Sequence, residues 1–206
     1  EGAGMESDND VAHAVHFGDL EDPADVGRRA GEKAAARIGA RRMPTAEVPV
    51  IFDPRVAGGL LGHLTGAITG PAIARGTSFL KDRLGDQLFA ADIEIVDDPH
   101  RKRGLRSKPF DAEGIANSKR SIVKDGVLTT WLLDLASAKQ LGLATTGHAG
   151  RGTSGPPSPG PSNLYLTPGT LSPAELMADI EAGLYITSLM GMGVNGVTGD
   201  YSRGAS

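Results

Sequence analysis

The stretch Asp53-Pro-Arg-Val-Ala-Gly-Gly-Leu-Leu-Gly-His-Leu-Thr-Gly-Ala-Ile-Thr-Gly70 decides how the rest of the chain is read. It predicts a helix with two unlike sides. Asp53 suits an N-cap, and Pro54 stands where the first helical residue has no partner for an N–H anyway. At about 100° per residue, Val56, Leu60, Leu61, Leu64, Ala67 and Ile68 share one apolar arc. Gly59, Gly62, Gly66 and Gly70 form an adjoining stripe without side chains. A helix-interior glycine costs roughly 1 kcal/mol relative to alanine, so the stripe predicts a close backbone neighbour. His63 lies at the seam of the two arcs, the one ionisable group in the middle of the helix.

Upstream, Val48-Pro-Val-Ile-Phe52 reads as a short strand delivering the chain into this helix. Residues 1–21 alternate at Val11, His13, Val15 and Phe17, which predicts a strand from a sheet begun earlier in a longer protein. Asp22-Pro23-Ala-Asp25 opens a second helix, with Val26, Ala30, Ala34 and Ile38 on one face, ending near Gly39 among basic residues. Downstream, Thr77–Leu84 reads as a helical turn, Asp92–Val96 as a strand and Asp97–Lys108 as a charged loop. Ser121–Leu132 is a hairpin, because Asp125-Gly126 supplies the left-handed pair of a type I′ turn between β-prone runs. A short helix follows over Asp134–Leu141. Residues 147–162 are Gly, Pro and Ser in bulk, and predict a long mobile loop. Ser172-Pro-Ala-Glu175 is a capping box that starts a helix with Leu176 and Ile180 inward. Leu184–Leu189 and Val194–Ser206 are β-prone. The fold class expected is α+β, with largely antiparallel hairpins and several packed helices.

Composition narrows function by exclusion. Of 206 residues 29 are Gly and none is Cys, so thiolate metal sites and a Cys nucleophile are ruled out within this chain. The absence of Cys fits a cytosolic protein. A net charge of −4 gives no global pull toward nucleic acid or an anionic membrane. No apolar run approaches the roughly 18 residues of a membrane span.

Several motifs dissolve on inspection. Gly191-Met-Gly-Val-Asn-Gly196 fits the dinucleotide pattern, but Val197-Thr-Gly-Asp does not open the helix that must hold a pyrophosphate. Ser78-Phe-Leu-Lys81 fits S-x-x-K without the companion motifs of penicillin-binding enzymes. The run His100-Arg-Lys-Arg103 lacks an aromatic platform in sequence and reads as a solvated loop. Asp111 and Glu113 share a turn set by Pro109 and Gly114, where carboxylates accept backbone N–H bonds. His148 is expected to be exposed beside the Gly-rich loop, where it could line a cleft. A gluzincin-like zinc site needs paired His with Glu on one helix face, and no second His lies near His63.

Taken together, certain blocks carry a family resemblance. They are Pro49-Val-Ile-Phe52 with Leu60-Leu-Gly-His-Leu-Thr-Gly66, Phe79-Leu-Lys-Asp-Arg-Leu-Gly85, Gly104–Gly114, Val123–Leu132 and Ser137-Ala-Lys-Gln-Leu-Gly142. Thr146-Gly-His-Ala149, Met190-Gly-Met-Gly-Val194 and Thr198-Gly-Asp-Tyr-Ser-Arg-Gly-Ala205 complete them. In this order they resemble the C-terminal part of PmbA-type (TldE-type) subunits of the TldD/PmbA family of metallopeptidases. The resemblance implies two parts, residues 1–47 as the end of an upstream domain and 48–206 as a truncated C-terminal-type domain.

In the catalytic TldD branch this helix carries His-Glu-x-x-x-His for zinc. The resemblance sets Gly62 at the first His, His63 at the Glu and Ala67 at the second His, so no catalytic or metal-binding residue is carried over. What it implies is a non-catalytic subunit with no cofactor of its own, zinc sitting in a TldD-type partner, and small or unfolded peptides as substrate. It further implies a cytoplasmic, bacterial setting, and a homodimer if the chain acts alone. Two other readings stay open. One is an active peptidase with an unconventional site, in which His63 and His148 bind substrate. The other is a standalone peptide-binding module that adds an extended peptide to a strand edge.

Overall fold

The structure is a computed structural model that describes residues 4–39 and 43–206, in two compact units, 1–47 and 48–206. In the first unit, helix α1 (Pro23–Ala36) is capped by Asp22, whose carboxylate accepts the Ala24 N–H at 2.8 Å. The stretch expected to be a strand is instead extended chain with a 3₁₀ turn at Phe17–Asp19. Its residues 1–3 lie outside the described residues, as do the basic residues at 41 and 42. The reason is electrostatic. Arg29, Lys33 and Arg37 make a basic row on α1, and Asp10 meets Arg29 at 2.6 Å and Lys33 at 3.2 Å, while Asp8 meets Arg37 at 3.3 Å. The Arg29 guanidinium, helped by Lys33 and the Val11 N–H, holds the Asp10 carboxyl down at about 2. Ile38, just past the end of α1, is exposed.

The second unit opens with β1 (Val50–Phe52) and α2 (Pro54–Ala67). Helix α2 stops three residues short of the expected Gly70. Pro71 would clash with the Ala67 carbonyl in a continuous helix, so the chain breaks at Ile68-Thr69 and restarts as α3 (Gly70–Ala74). The freed backbone pairs with the segment around Leu132, Gly70 N–H to Leu132 O at 2.8 Å and Leu132 N–H to Ile68 O at 3.0 Å. Residues 77–84 are successive turns rather than a helix.

Strand β2 (Ile95–Asp97), β3 (Arg120–Lys124) and β4 (Val127–Leu128) follow, and Asp125 and Gly126 take φ of 51° and 78° in the hairpin turn. A Cβ on Gly126 would also collide with the Phe89 carbonyl. Helix α4 (Leu135–Leu141) is capped by Asp134, which accepts the Ser137 N–H at 2.8 Å. The expected long loop contains an antiparallel pairing of β5 (Ala149–Gly150) with β6 (Ser158–Pro159). Strand β7 (Leu164–Leu166) completes an antiparallel sheet in the order β4-β3-β2-β7. Ile122, Val123 and Leu128 of this sheet join Leu64, Ile68, Ile73 and Leu132 in one buried core cluster.

Helix α5 (Pro173–Ala178) starts with the expected capping box, but Leu176 is exposed. Then come β8 (Leu184–Ile186), parallel to β1, and the antiparallel pair β9 (Leu189–Val194) and β10 (Tyr201–Ala205). The α+β class expected from the sequence is observed. Among the described residues no helix is long and apolar enough to cross a membrane.

Candidate functional site

Helix α2 is held at its start by Asp53. The carboxylate accepts the Arg55 N–H at 2.8 Å and the Tyr185 hydroxyl of β8 at 2.9 Å. Burial opposes the charge, yet the Arg55 N–H, Tyr185 and the Arg55 guanidinium together keep the Asp53 carboxyl below its ordinary range. The same bond raises the Tyr185 phenol. The cap therefore fixes the helix to the β1–β8 pair and aims its far half into the core.

One side of that far half is not covered. A cavity of about 810 Å³ lies between α2, the turns at 77–89 and the β9–β10 hairpin. Gly62, His63, Gly66 and Ala67 supply the α2 wall; Phe79, Leu80 and Phe89 another; Met192, Val194, Tyr201 and Arg203 the third. Here the sequence expectation for the glycine stripe fails. Gly59, Gly62 and Gly66 have nothing beyond their own helix within 4 Å of where a Cβ would stand. Gly70 alone of the four is closely approached, by the side chains of Ser137 and Leu133 rather than by backbone. Gly62 and Gly66 face open space because they are cavity wall.

His63 is half-buried and meets the Tyr201 ring edge-on, with centroids 5.7 Å apart. Tyr201 and Arg203 share a face of β10 by strand alternation. Opposite Arg203 the ladder register slips, and Gly191 on β9 takes φ 83°. A bulge of this kind re-aims the facing side chain. Gly193 is needed for a second reason, since a Cβ there would strike the Ser202 carbonyl. The dinucleotide-like glycines thus shape a bulged strand pair, with no helix behind them.

His148 corrects the expectation of exposure. It is 4% exposed, with Nδ1 2.7 Å from Thr146 Oγ1 and Nε2 3.3 Å from Asp97 Oδ2. Asp97, itself buried, also accepts the Ser162 N–H at 2.8 Å and the Ser162 hydroxyl at 2.9 Å. Carboxylate, imidazole and hydroxyl stand in line, as in a nucleophile's relay. The hydroxyl is already committed, because Thr146 Oγ1 accepts the Leu133 N–H at 2.8 Å and donates to the Leu133 carbonyl at 3.2 Å. The cluster pins the 146–162 segment to β2, and it gives His148 no opening to a substrate. His63 and His148 are not brought together.

The remaining motifs fall into structural roles. Asp111 Oδ1 accepts the N–H groups of Glu113 and Ile115, both at 2.9 Å, and Oδ2 accepts that of Ala149, as the turn reading requires. Ser78 is buried and accepts the Leu80 N–H, and Lys81 pairs with Asp82. The basic run does gain an aromatic neighbour, with the Arg101 guanidinium 5.1 Å from the Tyr165 ring centroid. Sequence reasoning missed Arg203 and Asp97. Arg203 was legible as the alternate partner of Tyr201, but Asp97 looked like part of a charged loop.

The chain matches the family described as the PmbA/TldA metallopeptidase C-terminal domain over residues 45–206. The chain belongs to this PmbA/TldD family. It is 41% identical to the metalloprotease PmbA of Escherichia coli O157:H7, over all of this chain and 44% of that protein. It is 40% identical to a Haemophilus influenzae PmbA homolog, over 98% of this chain and 43% of that protein. The chain therefore spans less than half the length of these relatives. Among solved structures, a proposed DNA gyrase modulator of Thermotoga maritima superposes with a TM-score of 0.84 at 32% identity, covering 93% of this chain and 44% of that one. TldE of Thermococcus kodakarensis gives 0.74 at 26% identity, covering 82% and 39%.

For a metallopeptidase family the fit to zinc is the chemical test. Tetrahedral zinc takes three or four His, Cys or carboxylate ligands. The α2 positions Gly62, His63 and Ala67 offer one imidazole between them, a single ligand. Among the described residues no three His, Cys, Asp or Glu are grouped to hold a metal. The described α2 positions by themselves do not fit the ion.

Proposed function

We propose that this chain is the C-terminal part of the non-catalytic, PmbA/TldE-type subunit of a cytoplasmic metalloprotease complex. A TldD-type partner supplies the zinc and the bond cleavage. This chain closes the proteolytic chamber and holds small or unfolded peptides on their way to the metal. The observation that carries the reading is the α2 wall. The cavity is kept open along Gly62, His63 and Ala67, while the side chains there cannot assemble a metal site. An active peptidase built on His63 and His148 finds no support, since one lines the cavity and the other is buried against Asp97.

The test uses the full-length protein, purified alone and with its TldD-type partner. The reading predicts substoichiometric zinc and no peptide hydrolysis alone, and zinc-dependent hydrolysis by the complex. Stoichiometric zinc with hydrolysis by the isolated subunit would sink it. Sedimentation of the isolated subunit reads whether it self-pairs as a homodimer in the partner's absence.

A further inference from the structure

The cavity beside α2 has a charge pattern that the family assignment does not explain. Its walls are mostly apolar, and no Asp or Glu is among the described residues that line it. Two cations do line it. Arg83 is spoken for, with Nε 2.5 Å from Asp86. Arg203 Nε is shut off from water and, among the described residues, has no hydrogen-bond partner. Burying a guanidinium donor unpaired is costly, and Arg203, opposite the bulge, lines the cavity. The group an arginine binds best is an anion with planar, two-oxygen geometry.

The α2 wall of the same cavity has the opposite character. Gly62 and Gly66 leave open space over the helix backbone, at a cost in helix propensity that alanine would remove. One cavity thus holds both room for an apolar side chain and a buried guanidinium N–H without a described partner. We propose that this cavity binds the C-terminal residue of a peptide. Its free carboxylate pairs with Arg203 and its apolar side chain lies over Gly62 and Gly66, against the His63–Tyr201 pair. This rests on the reading of the chain as a peptide-holding subunit and names the end of the peptide it holds. Charge complementarity selects a carboxylate, and the depth of apolar wall selects a Leu- or Phe-like terminal residue over a charged one.

The experiment measures fluorescence anisotropy of an N-terminally labelled pentapeptide ending in Leu, as free acid and as amide, with the full-length subunit without its partner. Amidation is expected to weaken binding about 10-fold, as for loss of a hydrogen-bonded charge. R203Q should weaken the free acid by a similar factor and leave the amide unchanged. G66L should abolish binding of both while the protein melts no lower than wild type. Equal binding of acid and amide, or an R203Q variant that still prefers the acid, overturns the proposal. So does G66L melting well below wild type, which would mean that another part of the full-length chain fills the cavity. Binding of palmitate without the peptide would assign the cavity to a fatty acid and overturn it likewise. Pull-down of the TldD-type partner by R203Q is scored separately. If assembly persists while acid preference is absent, this inference fails and the subunit assignment stands.

Discussion

Two histidines lie in one compact unit and could hardly be placed more differently. His148 is buried in a cluster where Thr146 meets one ring nitrogen and Asp97 faces the other, while Ser162 and the Leu133 backbone take up the rest. His63 stands at the edge of an open apolar cavity with one aromatic neighbour. By residue type alone both are candidates for chemistry. The difference teaches that a line of carboxylate, imidazole and hydroxyl is a structural clamp when every member is engaged and shut off from water. A less decorated histidine, on a cavity with unfilled space and an arginine Nε without a described partner, marks where a ligand can go.

The comparison breaks first at Asp97. Its replacement by Ala strands the Ser162 N–H and hydroxyl and removes the carboxylate facing His148, all in the interior. A loss of about 3–5 kcal/mol is expected, as for breaking a buried charged network, read from urea unfolding midpoints. A loss under about 1 kcal/mol would show the clamp to be idle.

The glycines of α2 and α3 sharpen the same contrast. At Gly70 a Cβ would collide with Ser137 and Leu133, so Gly70→Ala is expected to destabilise by about 1–3 kcal/mol through overpacking. Next in size is the cap. Asp53→Ala should cost about 1 kcal/mol. Asp53 also gives a pH signature. Burial opposes its charge, yet the Arg55 N–H, Tyr185 and the Arg55 side chain together leave the folded carboxyl depressed. Its contribution is therefore fully present above the ordinary carboxylate pKa of about 3.9 and is lost as pH falls through the lower folded value. Asp53→Asn should flatten that acid limb in a stability–pH profile. The smallest effect has the opposite sign: Gly66→Ala meets open space and should stabilise by up to about 1 kcal/mol. Two glycines of one sequence stripe, four residues apart, thus respond to the same substitution in opposite directions.

Much of this was legible in the sequence where the signal is local. The Asp53 and Asp22 caps, the Asp125-Gly126 turn and the Ser172–Glu175 box rest on a few adjacent residues, and each is observed. Expectations failed where long-range partners decide. The alternation in residues 1–21 could not reveal that Asp8 and Asp10 would lie on the basic row of α1. The Pro- and Gly-rich run gave no hint that Asp97, 65 residues before Ser162, would fasten it. The glycine stripe was read as a contact because small residues permit close approach; it equally permits a cavity, and periodicity cannot tell the two apart. Strand alternation places Arg203 on the face of Tyr201, but the burial of its Nε depends on the fold and could not be read from sequence.

The central claim is that the α2 wall has lost its metal and kept its cavity. It is met most directly by metal analysis and peptide hydrolysis on the full-length subunit purified without its TldD-type partner. The account predicts well under one zinc per chain and no cleavage until the partner is added. One zinc per chain, with cleavage by the subunit alone, would contradict it.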